Sequence, residues 1–217
     1  MTRFLSTLRY LCFALLCNGM SHPSIAETGN ITVALTTTQG LIELTLDREK
    51  APLAVNYWLS YANSERYLQA NFYRSASMDQ DPNPQMIQGG LLAAGLNQTP
   101  TPSVQDFAVD PLMNFETTAQ SGLKHQRGSV SLARDLLGGG GVIPELCIYL
   151  RDSPMLDTGG SRSYDQRGFP VIGTVTAGLD VVEKISQQPR QGQTAIAFLQ
   201  GQILTQPVRL LSVTVTE

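Results

Sequence analysis

Arg74 closes the aromatic run Asn71-Phe72-Tyr73-Arg74, and Met86-Ile87-Gln88-Gly89-Gly90 follows in what reads as the next strand. Alternate residues of an extended strand share a face, so Phe72 and Arg74 are expected on one side. A guanidinium and the Gln88 amide beside Met86 would make a pocket able to grip a small apolar ring and hydrogen-bond an adjacent carbonyl or amide nitrogen. Arg74 could equally sit in a surface ion pair, and the local pattern does not choose between the two.

Other chemistries fail on inventory. His22 and two of the three cysteines, Cys12 and Cys17, lie in an N-terminal segment that reads as an export signal. His125 and Cys147 then remain alone, too few for a Cys/His zinc site. No Gly-x-Ser-x-Gly elbow accompanies His125, and the glycine run 138–141 lacks the Lys-Ser/Thr of a phosphate loop. Glu116, Asp135, Glu145 and Asp152 are not spaced to share a face and read as solvated loop acids. Neither a metal nor a cofactor is therefore expected. With 15 Lys plus Arg against 18 Asp plus Glu, the net charge of -3 offers no basic surface for phosphates, so nucleic acid is not expected as a partner.

The elements that must position Arg74 are mostly short strands. Ile31, Val33 and Leu35 alternate with polar residues, and Ile42, Leu44 and Leu46 do the same after Gln39-Gly40, predicting a hairpin. From Pro52, the residues Val55, Trp58, Leu59 and Ala62 line one helical face, with Trp58 assigned to the core. Strands are expected at Asn71 to Ala76, Met86 to Leu92, Gly128 to Arg134, Cys147 to Leu150, Val171 to Val175 and Val208 to Thr216, with a second helix at Gly178 to Gln187. In the last strand Leu211, Val213 and Val215 are expected to face one way. Many alternating strands with two helices argue for a mostly β barrel or sandwich in a single domain.

The runs Phe72-Tyr73-Arg74, Met86-Ile87-Gln88-Gly89-Gly90, Arg127-Gly128-Ser129-Val130-Ser131-Leu132-Ala133-Arg134, Leu156-Asp157 and Gly178-Leu179-Asp180-Val181-Val182-Glu183-Lys184-Ile185 occur in one order along the chain. In that order and approximate spacing they resemble cyclophilin-type peptidyl-prolyl cis-trans isomerases over about residues 31–190, and Glu116-Thr117-Thr118, the run Gly122 to Gly128 and the stretch Asp157 to Gly168 are most similar to exported bacterial members. The resemblance implies a closed eight-stranded antiparallel β-barrel capped by two α-helices, and an enzyme that accelerates rotation about Xaa-Pro bonds in unfolded or extended polypeptides. It implies Arg74 and Gln88 as catalytic residues. It implies a substrate site of Phe72, Met86, Ala133, Arg134, Glu145, Leu146, Cys147, Met155 and Phe169, with no cofactor and no metal.

The chain departs from the family pattern in its pocket. Where relatives read Ser-Gln/Glu-Phe-Phe-Ile, this chain reads Pro144-Glu145-Leu146-Cys147-Ile148, so aromatic wall is lost. Met155 stands where Trp or Phe precedes Leu-Asp, Phe169 matches a His or aromatic position, and Tyr73 replaces the His of Phe-His-Arg. Such a change would weaken proline binding unless Met155 and Phe169 refill the space. A different class of function then competes, a cyclophilin-fold peptide-binding module or chaperone with little isomerase activity. Cys147 reads as a small buried hydrophobe or as a redox-sensitive thiol. Arg134 reads as a peptide-backbone anchor or as a strand-end surface cation.

Residues 1–26 read as a secretory signal peptide, with Arg3 and Arg9 flanking a short apolar stretch and Ser24-Ile25-Ala26 ahead of a cleavage point, which leaves 27–217 as one cyclophilin-like domain. The apolar stretch is shorter than the ~20 residues needed to cross a bilayer. The expected product is periplasmic or secreted, free of the membrane once the signal is removed, monomeric, and without an intrachain disulfide.

Overall fold

The computed structural model describes residues 29–216 apart from 78, 80 and 136–138. The export signal read in residues 1–26 lies outside the described residues. Eight strands, β1 (Asn30–Thr37), β2 (Gly40–Asp47), β3 (Asn71–Ala76), β4 (Met86–Gly90), β5 (Ser129–Arg134), β6 (Val142–Tyr149), β7 (Val171–Ala177) and β8 (Ile203–Thr216), form the expected closed barrel. The order around it is β1-β2-β7-β5-β6-β4-β3-β8, with β8 returning to β1 and each pairing antiparallel.

Alternation explains the filled interior. Ile31, Val33 and Leu35 of β1 and Ile42, Leu44 and Leu46 of β2 point inward and are fully buried, with Val33 opposite Leu44. Two helices add their apolar faces to the same core. Helix α1 (Pro52–Ala62) contributes Val55, Trp58 and Leu59, and α3 (Leu179–Ser186) contributes Val182 and Ile185. A one-turn helix between them, α2 (Thr118–Ser121), was not expected and brings the α-helices among the described residues to three. Trp58 is core as read, its Nε1 donating to Tyr67 Oη at 2.9 Å. Since these side chains fill the barrel, a binding site has to lie on its outer face.

Two strands are longer than their sequence signals. β6 starts at Val142 and contains Pro144, and β8 starts at Ile203 and contains Pro207. Proline cannot donate to a ladder and so argues locally against a strand, yet pairing on both sides keeps these segments extended. A bulge where Thr37 pairs with Leu210 and Thr36 with Ser212 also corrects the face assignment of β8. The extra residue, Leu211, is turned outward and Leu210 inward, while Val213 and Val215 pack on the core as expected.

Helix α1 has no cap of its own, Ala51 having no side chain that could accept from its first turn. Glu116 supplies it from a distant loop, accepting from Leu53 N at 2.8 Å and Ala54 N at 3.2 Å. This corrects the reading of Glu116 as a solvated loop acid. The carboxylate also lies at the positive end of the helix dipole. Glu116→Ala is expected to lower the unfolding free energy by about 1 kcal/mol, read from urea melts.

Candidate active site

A second bulge, between Phe72 and Arg74, shapes the site. Phe72 pairs with Gly89 and Arg74 with Gln88, so the alternation of β3 breaks between them. Phe72 points into the barrel core at 2% exposure, and Tyr73 and Arg74 both reach the outer face. The expectation that Phe72 and Arg74 share a face is thus corrected, and Phe72 lines no groove. Strand β6 keeps its alternation and divides its residues the same way. Leu146 joins the main core, which removes it from the expected substrate wall, while Cys147 and Tyr149 face outward.

The outer face of β5, β6, β4 and β3 floors a groove of about 570 Å³, within the ~300–1,000 Å³ typical of ligand pockets. Arg74, Gln88, Met86, Ala133, Arg134, Cys147 and Phe169 all line it. Tyr73, Tyr149 and Leu156 line it as well. Met155 is not among the lining residues; it packs against the cluster of Met86, Cys147, Tyr149 and Leu156. Tyr149, two residues along the same outward face of β6, adds an aromatic ring to the groove beside Cys147. Its outward placement follows from the period of two along β6.

Arg74 is gripped from two sides and is not in a surface ion pair. Its Nη1 donates to Gln88 Oε1 at 2.7 Å, and its Nε and Nη2 donate to Gln202 Oε1 at 2.9 and 2.6 Å. Burial lowers its pKa, but a guanidinium stays charged in a protein. These three bonds leave two of its five N–H groups for a ligand. Gln202 carries no sequence signal for this role; it stands just before β8.

Behind Gln88 the chain of donors continues. Gln88 Nε2 donates to Tyr73 Oη at 2.9 Å, and Tyr73 Oη donates to Glu145 Oε2 at 2.9 Å. Glu145 Oε1 accepts from Leu92 N at 3.0 Å. Glu145 is fully buried on β6, which corrects its reading as a solvated loop acid, and it stands beneath the groove wall instead of lining the groove. Gly90 permits this, since a Cβ there would lie 2.2 Å from Glu145 Oε1. With these bonds the Gln88 amide is oriented, oxygen to Arg74 and nitrogen to Tyr73.

Desolvation pushes the pKa of Glu145 up from 4.5 to about 7, against the lowering effect of its hydrogen bonds. The folded state therefore holds this proton more tightly than the unfolded state. Its stabilisation is complete below pH 4.5 and lost as pH rises to about 7, by roughly 3 kcal/mol. Burial lowers the pKa of His125, which acts with the opposite sign as pH falls below 6.5. The difference in unfolding free energy between wild type and Glu145→Gln isolates the carboxyl, and it is expected to change between pH 4.5 and 7; a flat difference would refute the assignment.

Cys147 is 4% exposed, and burial pushes its thiol up to about 12. It is a buried hydrophobe and not a reactive thiolate. Arg134 is 6% exposed, so it is no surface cation. Its guanidinium donates to Gly140 O at 2.7 Å, to Gly168 O at 2.8 Å and to Asp165, and it lies over the Phe169 ring. It ties the loops at one end of the groove and holds Asp165 well below the usual carboxylate range. His125 supports the floor from below. It is buried, with Nδ1 2.8 Å from Asp157 Oδ1, and its ring meets Tyr149 edge-on at 5.0 Å.

Residues 32–215 match the family model for cyclophilin type peptidyl-prolyl cis-trans isomerase/CLD. The chain is 33% identical over 165 residues to peptidyl-prolyl cis-trans isomerase A of Dickeya dadantii, across 76% of each sequence. It is 28% identical over 184 residues to a peptidyl-prolyl cis-trans isomerase of Acinetobacter baylyi, across 85% of each. Among solved structures, a cyclophilin type peptidyl-prolyl cis-trans isomerase of Cryptosporidium parvum shares the fold at TM-score 0.61 and 14% identity, over 87% of this chain and 99% of that one. The same protein in the presence of the dipeptide Ala-Pro gives a TM-score of 0.59 at 14% identity, over 86% of this chain and 99% of that one.

Proposed function

This chain belongs to the cyclophilin-type peptidyl-prolyl cis-trans isomerase family and is an isomerase of Xaa-Pro bonds, and from that premise we propose that Arg74 acts as its central donor in an altered but intact proline pocket. The peptide bond resists rotation by ~18–20 kcal/mol because the nitrogen lone pair is delocalised into the carbonyl. Uncatalysed Xaa-Pro exchange takes tens of seconds or more. At the top of the barrier the lone pair is localised on nitrogen, which becomes a better acceptor than in the ground state. A fixed cationic donor beside that atom stabilises the twisted form selectively.

The observation that carries this reading is the double clamp on Arg74 at the edge of an apolar wall. Met86, Tyr149, Leu156 and Phe169 take the pyrrolidine ring and exclude water, and Ala133 and Cys147 close the floor. The second N–H of Gln88 Nε2 holds the carbonyl side. Arg134 and Glu145 act as positioning residues, Arg134 through the loops and Glu145 through Tyr73. Substrates are proline-containing unfolded or extended polypeptides, in line with the dipeptide used with the Cryptosporidium protein. Exchange spectroscopy on an Ala-Pro-containing peptide tests the site: line broadening of that peptide's cis and trans signals should require the groove, and Met86→Glu should abolish it. Binding without exchange would favour the peptide-holding module.

The same reading puts the protein outside the cytoplasm, assisting the folding of exported chains as a monomer. Its support is the charged, short apolar and small-residue pattern of residues 1–26. Mass spectrometry of the full-length chain expressed in bacteria should find a periplasmic product beginning at Glu27. An uncleaved cytoplasmic product would overturn the export role.

A further inference from the structure

The segment from Thr194 to Gln202 carries no strand or helix signal in the sequence, yet it is firmly tied. Thr194 Oγ1 and Ala195 N both donate to Leu96 O, at 3.0 and 2.7 Å. Ser75 N donates to Gln202 O at 2.9 Å, and Gln202 Nε2 donates to Phe198 O at 2.8 Å. Leu199 is buried against Tyr73, Leu96 and Ile203. The segment thus stands as a wall along the groove and brings Ile196, Phe198 and Leu199 to it, with Ile196 and Leu199 in one apolar cluster with Leu96.

This wall lies across Arg74 from the ring pocket. Around the barrel, Cys147 and Tyr149 sit on β6, Met86 on β4, Arg74 on β3, and Gln202 immediately before β8. The groove accordingly has two apolar lobes with Arg74 between them, and its volume is more than one pyrrolidine ring can fill. Phe198 lines the second lobe while 62% exposed. A single exposed phenylalanine needs no explanation. One held by Gln202, the same residue that clamps Arg74, is positioned to meet what Arg74 meets.

Resting on the reading of Arg74 as the central donor, we infer that Leu96, Ile196, Phe198 and Leu199 form a second subsite that takes a bulky apolar side chain flanking the proline. An extended substrate laid over Arg74 with its ring beside Met86 passes its neighbouring residue into this lobe. Filling it strengthens binding in the twisted state as well as the planar one, so the effect appears in kcat/KM. An apolar lobe discriminates by contact area, which is worth about tenfold for a leucine over an alanine.

The test is a set of peptides with Ala, Leu, Phe or Glu on either side of proline, each followed by exchange NMR with wild type, Phe198→Ser and Phe198→Leu. Wild type is expected to prefer Leu or Phe to Ala by about tenfold at one flanking position. Phe198→Ser should shrink that ratio to about threefold or less, and Phe198→Leu should restore most of it. The position is exposed, so neither change threatens the fold. A wild-type preference that persists unaltered in Phe198→Ser, no preference at all, or a preference for Glu overturns the subsite while leaving the isomerase site standing. Failure to accelerate any peptide overturns both.

Discussion

Arg74→Ala should lower kcat/KM for a proline peptide by ten- to a hundredfold without unfolding the protein. One charge-assisted hydrogen bond, made mainly in the twisted state, is worth ~1.5–3 kcal/mol. The loss should fall on kcat more than on KM, because the planar amide nitrogen is a poor acceptor in the ground state. Gln88 and Gln202 would lose a shared partner at the groove surface, where water can replace it, so the melting temperature should move little. Arg74→Lys should recover little activity. An ammonium on a flexible stem cannot satisfy Gln88 and Gln202 together while presenting further N–H groups in a fixed plane. Equal exchange rates for wild type and Arg74→Ala would remove Arg74 from the mechanism.

The second large effect concerns the exchange of an aromatic ring between neighbouring outward positions of β6. Tyr149→Ala is expected to destabilise the protein by about 3–5 kcal/mol and to cut kcat/KM at least tenfold, since the ring carries the groove floor and the edge contact with His125. Cys147→Phe alone should also destabilise, by about 1–3 kcal/mol, because the larger ring must enter the packed cluster of Met86, Cys147, Tyr149 and Leu156. Together the two changes move the ring back to position 147. The double variant should then be more stable and more active than the sum of its parts predicts, with a coupling of about 0.5–3 kcal/mol. Denaturant melts and exchange rates of the four proteins measure it. Strict additivity would mean that Tyr149 does not stand in for the missing wall.

Burial at position 145 shows how a residue can be found for one reason and matter for another. The family resemblance places Glu145 in the substrate site. The structure seats its carboxylate behind Tyr73, where it orients Gln88 and through it Arg74. Arg134 shows the same displacement, its donors being taken up by Gly140, Gly168 and Asp165.

Within a strand or helix of regular register, the amino-acid sequence by itself determined what faces what. Alternation in β1 and β2, the helical stripe of α1 after Pro52, and the placement of Arg74 on a strand with Gln88 and Met86 on the next were all legible, because each depends on near neighbours in the chain. Bulges were not, since an extra residue is absorbed only once a partner strand sets the count; Phe72 and Leu211 were misplaced for that reason. Barrel closure decided the rest. It brought Gln202 onto Arg74 across 128 residues, buried Glu145 under Tyr73 and stood Phe198 at the groove's edge. Such contacts are governed by which surfaces must leave water together, and no local periodicity encodes that.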